Sequence, residues 1–193
     1  YYNRIVREVV RNAVAAHPAA APLRILEIGA GTGGTTSWVL PELPAERVEY
    51  HFTDLSDSFL QRARERFHDF PFVRYQILNI EAPPEQQGIE PHSMDLVIAA
   101  NVLHGTRNMA ETLAHCRSLL TSSGQLVLWE VTTLHPWFCI AFGILDGWQR
   151  FEDYERRPSQ PLMSPDAWKH ALTEQGFTDV ETLPKAGVVG DAF

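Results

Sequence analysis

"RILEIGAGTGGTT", residues 24–36, decides the fold. Residues 24–28 are a compact apolar run of strand length that breaks directly into glycines. "TTSWVLPEL", 35–43, then starts a helix. A buried strand, a glycine turn and a helix start make the opening of a βα unit, and glycines there let the backbone come close to a ligand.

Two patterns overlap in this turn. Gly29, Gly31 and Gly34 satisfy G-x-G-x-x-G, which alone is a weak dinucleotide signature. Glu27, still on the strand, gives E-x-G-x-G-x-G through Gly29, Gly31 and Gly33. A carboxylate beside the turn repels a pyrophosphate and suits a cationic or amine-bearing ligand. S-adenosylmethionine, with a sulfonium, an α-ammonium and no phosphate, fits that chemistry. The alternative is a tight turn with an acid facing solvent.

The pattern repeats outward. The helical spacing of Ile5, Val6, Val9, Val10 and Ala13 predicts a helix over 2–16, broken by Pro18 and Pro22. Strands are expected at 48–54, 72–78, 94–100 and 125–131, and helices at 56–69, capped by Ser56 and Asp57, and at 108–124. Strand and helix alternate, which means a doubly wound α/β fold with a parallel sheet covered on both faces. The alternation lapses over 132–163, an aromatic-rich irregular stretch. "SPDAWKHALTEQG", 164–176, is a capped helix, and "FTDVETL", 177–183, a last strand.

The 193 residues, 45% of them hydrophobic, suffice for one domain with a single sizeable core. A net charge of −8 argues against non-specific nucleic-acid binding. No apolar stretch is long enough to span a membrane, and a cytoplasmic protein is expected. Cys116 and Cys139 form neither a disulfide framework nor a metal knuckle, and no His and acid set has metal-ligand spacing. The chain opens with Tyr1 inside a predicted helix, as an excised piece would.

The ends of the parallel strands supply the candidate site. Asp54 ends the second strand, where an acid accepts both ribose hydroxyls; it could equally cap the helix that follows. Asn79 ends the third, with an amide for an adenine edge or for a plain turn. Leu55, Ile80 and Asn101 complete the cofactor set. His104 lies just past the fourth strand and Glu130 near the end of the fifth, and neighbouring strands lie roughly 4.8 Å apart. An unpaired carboxylate inside the apolar run "LVLWEV" is expensive, so Glu130 needs a partner, and an imidazole would serve as one.

"LEIGAGTGGTT", "FTDLS", "FVRYQILNIE", "MDLVIAANVLHGT", "LVLWEVT" and "GWQRF…RPSQPLMSP" resemble the C-methyltransferase domain of polyketide synthases over most of residues 22–180. The resemblance implies a class I methyltransferase (Rossmann-like) core over 22–193. Residues 1–21 would be the tail of a truncated N-terminal helical lid, and 132–163 a substrate-side insertion. It implies S-adenosylmethionine as methyl donor, Glu27 and Asp54 as cofactor acids, and His104 with Glu130 as the catalytic dyad. The substrate would be a β-ketoacyl thioester on acyl carrier protein, among neighbouring synthase domains. Asn79 stands where the family commonly has Asp, and Gln149 where it commonly has Trp. Trp137, Phe138, Phe142, Trp148 and Phe151 would line an acyl channel or simply fill the core. "RARER", 62–66, and "ERRP", 155–158, are candidate carrier-docking patches or solvated surface. Three other readings stay open: a non-catalytic pseudo-methyltransferase, an O-methyltransferase and a nicotinamide oxidoreductase.

Overall fold

The computed structural model describes residues 2–18, 21–133 and 146–183. The elements are α1 (Tyr2–Ala16), β1 (Leu23–Ile28), α2 (Thr36–Val39), β2 (Val48–Asp54), α3 (Asp57–Arg66), β3 (Val73–Ile77), β4 (Met94–Ala100), α4 (Met109–Leu119), β5 (Leu120–Trp129) and α5 (Pro165–Glu174). The strands form one parallel sheet in the order β3-β2-β1-β4-β5, so the order in which strands are added switches sides between β1 and β4.

Consecutive residues of the central strands are buried because both faces are covered. Leu26, Val97 and Ala99 join Leu113, Cys116 and Leu119 of α4 and Trp168 and Ala171 of α5. Ile25, Leu96 and Ile98 face the other way, onto Val6 and Val10 of α1, Val39 of α2, and Leu60 and Ala63 of α3. The doubly wound sheet expected from the alternation is present, and its two cores are the two sides of one period-two pattern.

Several boundaries differ from the sequence expectation. The helix after the glycine turn runs one turn and tightens to a 3₁₀ turn at Leu40–Glu42, where Pro41 lacks the amide that would continue it. Ser56 occupies the N-cap position of α3 without capping it, its hydroxyl meeting that of Ser58 instead, and α3 ends at Arg66. Helix α4 stops at Leu119, and β5 begins at Leu120 with a register shift opposite Met94 and Leu96. The "TSSG" read as a helix stop therefore belongs to the irregular start of the strand. Since β5 ends at Trp129, Glu130 lies one residue beyond it.

The strand expected at 177–183 is absent. Asp179 has φ +54, which breaks an extended run. Phe177 and Val180, three apart rather than two or four, both pack on the α4–α5 core. Trp137, Phe138, Phe142 and Cys139 lie outside the described residues.

Candidate active site

The glycine turn is fixed by its neighbours as much as by its own composition. Its left-handed positions are 29, 31 and 33, and Gly34 is not among them. A Cβ at Gly29 would lie 2.3 Å from Val102 Cγ2, and one at Gly33 2.6 Å from the Phe67 ring. The turn thus follows the E-x-G-x-G-x-G pattern rather than G-x-G-x-x-G. Below it lies a cavity of about 410 Å³ bordered by Glu27, Gly29, Gly31, Asn101, Trp129 and Tyr2.

Glu27 is not a solvent-facing acid: it is 1% exposed. Thr36 and Tyr50 hydroxyls each donate to its Oε2 at 2.5 Å. Burial pushes its carboxyl from 4.5 up to about 7; the two hydroxyls oppose the rise and nearby Asp54 adds to it. Burial and the Glu27 charge likewise raise the Tyr50 hydroxyl well above its ordinary value.

Asp54 is buried and already engaged. Oδ2 accepts from the Gly31 amide at 2.9 Å, and Oδ1 from the Ser56 amide at 2.9 Å. It ties the glycine turn to the start of α3, and each oxygen keeps a lone pair for a further donor. Leu55 beside it is 59% exposed. Asn79 accepts the Glu81 amide with Oδ1 at 3.0 Å, while the Gln87 side chain holds both the amide and the carbonyl of Asn79. Ile80 is buried in the core, and its carbonyl meets Nδ1 of His115. Asn101 sits at φ +55 and its amide donates to the Trp129 carbonyl at 2.6 Å, pinning the end of β4 to the end of β5.

His104 and Glu130 meet. His104 Nδ1 lies 2.7 Å from Glu130 Oε2, with side chains 15% and 2% exposed. The other carboxylate oxygen accepts the amides of Val102 at 2.9 Å and Leu103 at 2.7 Å. The expected cost of the buried carboxylate is therefore met by three donors rather than one. An ionised carboxylate only accepts, so Nδ1 must donate, and the neutral ring then carries its lone pair on Nε2. Nε2 has no hydrogen-bond partner among the described residues. Trp148, in the 3₁₀ turn Asp146–Gln149, lies edge-on to the imidazole at 6.0 Å.

Sequence reasoning missed Tyr50 and Thr36 beneath Glu27, and it misread Arg157. The "ERRP" patch is not a free basic surface: Arg157 is buried, and Arg156 pairs with Glu174. In "RARER", Arg64 donates to the Tyr75 carbonyl and Arg66 to the Thr32 carbonyl. Among the described residues no group of His, Cys, Asp and Glu is arranged to hold a metal ion.

A parallel sheet in this order, with an acid-led glycine turn after its first strand and polar side chains at its carboxyl edge, defines a Rossmann-like domain. Residues 26–126 match the family model for a methyltransferase domain, and the chain belongs to that family. It is 43% identical over 188 residues to polyketide synthase ThaQ of Burkholderia thailandensis, covering 93% of this chain and 9% of that protein. Among solved structures, the CurJ carbon methyltransferase superposes with a TM-score of 0.93 at 49% identity, over 95% of this chain and 49% of that one. The trans-methyltransferase CalH, crystallised with SAH, gives 0.81 at 37% identity, over 89% of this chain and 48% of that one. The chain thus spans under a tenth of the synthase and about half of each solved methyltransferase.

Proposed function

We propose that this domain methylates the α-carbon of a β-ketoacyl thioester carried on acyl carrier protein, within a polyketide synthase, using S-adenosylmethionine. The observation that carries the reading is the His104–Glu130 pair, joined at 2.7 Å where β4 and β5 end, beside the glycine turn. The family membership and the polyketide-synthase relatives support the substrate class. The cavity suits the donor: it offers left-handed backbone for close approach and one buried carboxylate for a cation. Glu27 and the glycine turn would hold the amino-acid portion, Asp54 the ribose, and Asn79 with Leu55 and Ile80 the base; Asn101 would border the same pocket. When bound, S-adenosylmethionine supplies an electrophilic methyl group on a sulfonium.

The residues do the rest. The carbon between a ketone and a thioester is acidic because its anion spreads over two carbonyl oxygens. His104 Nε2 takes that proton, and the C–H electron pair becomes the enolate. Glu130 holds the ring in the Nδ1–H form and stabilises the imidazolium that results. The enolate carbon would then take the methyl group, the S–CH₃ bond breaking as the C–C bond forms and its electron pair staying on the thioether sulfur of the departing S-adenosylhomocysteine. Positioning of the two reactants supplies the remainder of the rate.

The test is incubation with labelled S-adenosylmethionine and a carrier-loaded β-ketoacyl chain, read by intact mass, with product NMR to locate the methyl on carbon. His104→Ala is expected to lower turnover by about 10²–10⁴-fold. Undiminished turnover in that variant would overturn the dyad, and an O–CH₃ product would overturn the assignment to carbon.

A further inference from the structure

Arg157 is 1% exposed, among the largest fully buried side chains of the domain. A guanidinium cannot shed its proton, so its burial is tolerable only where every donor finds an acceptor. Nε donates to Asp153 Oδ1 at 2.6 Å. Nη1 donates to the His104 carbonyl at 2.9 Å. Nη2 donates to the carbonyls of Thr106 at 2.8 Å and Arg107 at 2.9 Å. Three of its four acceptors are therefore main-chain carbonyls of one short segment, the turn that carries His104 and its exit into α4. Asp153 extends the grip, since its Oδ2 accepts the Met109 amide at 3.0 Å.

The opposite end of that turn is held by the opposite charge. Glu130 Oε1 accepts the amides of Val102 and Leu103, and Oε2 meets the ring of His104. The 3₁₀ turn Leu103–Gly105 thus has a carboxylate on its amide end and a guanidinium on its carbonyl end. Each charge complements the partial charge of the unpaired backbone groups it meets. The stretch that supplies Arg157 also supplies Trp148 at the ring edge, and the Glu152 amide donates to the Arg107 carbonyl at 2.8 Å.

We propose that Arg157 is a positioning residue for His104, setting the plane and tautomer of the imidazole by fixing the carbonyl end of the turn that carries it while Glu130 fixes the amide end through Val102 and Leu103. Its hydrogen bonds reach neither the imidazole nor the residues that border the cavity, so its influence passes through the backbone of residue 104. The inference rests on the dyad reading above and adds a residue to it.

The test compares Arg157→Met and Arg157→Lys with the parent and with His104→Ala. Three quantities are read in each: S-adenosylmethionine affinity by calorimetry, kcat and KM on the carrier-bound substrate, and ¹⁵N NMR of the His104 ring, assigned by its loss in His104→Ala. Misaligning a reacting group costs about 100-fold, which is the drop expected in kcat for Arg157→Met. KM and cofactor affinity should stay at parent values. The His104 ring should pass from one tautomer to a mixture, and Arg157→Lys, which keeps the charge, should recover part of both effects. Parent-like kcat in the folded variants would overturn the proposal. A fall in kcat with an unaltered His104 signal would overturn it too, because that is a loss of order without repositioning. If neither variant folds, Asp153→Asn, which loosens the anchor and leaves the guanidinium, decides by the same two readouts. Full turnover in His104→Ala would instead remove the proposed function itself, an outcome distinct from failure of the Arg157 variants alone.

Discussion

Glu27 couples the proposed cofactor site to pH. Its carboxyl sits near 7 because burial outweighs the Thr36 and Tyr50 hydroxyls, yet a cationic ligand requires the ionised form. Binding should therefore drive a proton off Glu27, and affinity for S-adenosylmethionine should fall as pH drops from 8 to 6, by about tenfold per unit once below 7. Calorimetry in buffers of different ionisation enthalpy should show net proton release that Glu27→Gln abolishes. Stability carries the opposite sign. A carboxyl raised from 4.5 to about 7 on folding contributes stability that is complete below pH 4.5 and lost as pH rises through 7. Glu27→Gln should flatten that part of the denaturant midpoint against pH. Glu27 was legible in the sequence as an acid on a strand end; its burial was not, because Thr36 and Tyr50 lie 9 and 23 residues away and meet it only in the fold. Arg157 was misread for a related reason. "ERRP" has the composition of a surface, and the one hint of burial was the Asp153–Arg157 spacing of four.

The glycine turn and the helices that follow it set how tightly the site is held. Gly29 sits at φ +58 with Val102 Cγ2 where a Cβ would be, whereas Gly34 has nothing within 4 Å of its own. Gly29→Ala should cost at least about 1–2 kcal/mol for the left-handed backbone alone, with the clash in addition. It should also weaken cofactor binding, since Val102 borders the turn that carries His104. Gly34→Ala should change stability by no more than about 0.5 kcal/mol. Urea titration of the two variants checks both, and equal losses would sink the E-x-G-x-G-x-G reading of the turn. Asn108 caps α4 by accepting the amides of Ala110 and Glu111, just after that turn. Asn108→Ala should cost about 1 kcal/mol in the same titration. The central strands were legible because apolar runs bounded by glycine and polar residues leave little choice of element. The start of β5 was not. "TSSG" has the composition of a helix stop, and its place opposite Met94 depends on a register shift that sequence periodicity does not record. The run at 177–183 failed for a local reason, the left-handed backbone at Asp179.

The two cores on either side of the sheet make one cooperative unit, because β1 and β4 at its centre contribute to both. Cys116 reports on that unit. It lies on α4 with no exposed surface, packed with Leu113, Leu119 and the strand residues beneath. Burial pushes its thiol up to about 12, so the thiolate that reacts with disulfide reagents is scarce even if a reagent could reach it. Local fraying of α4 is disfavoured as well, since the helix is capped by Asn108 at one end and runs straight into β5 at the other. Exposure of Cys116 therefore requires the sheet and its helices to separate together. Native protein should resist labelling at Cys116, as mapped by peptide mass, and the labelling rate should rise with urea in step with loss of circular dichroism. Labelling that runs well ahead of the unfolding curve would mean that α4 lifts off while the sheet persists, and the two faces would then not be one folding unit.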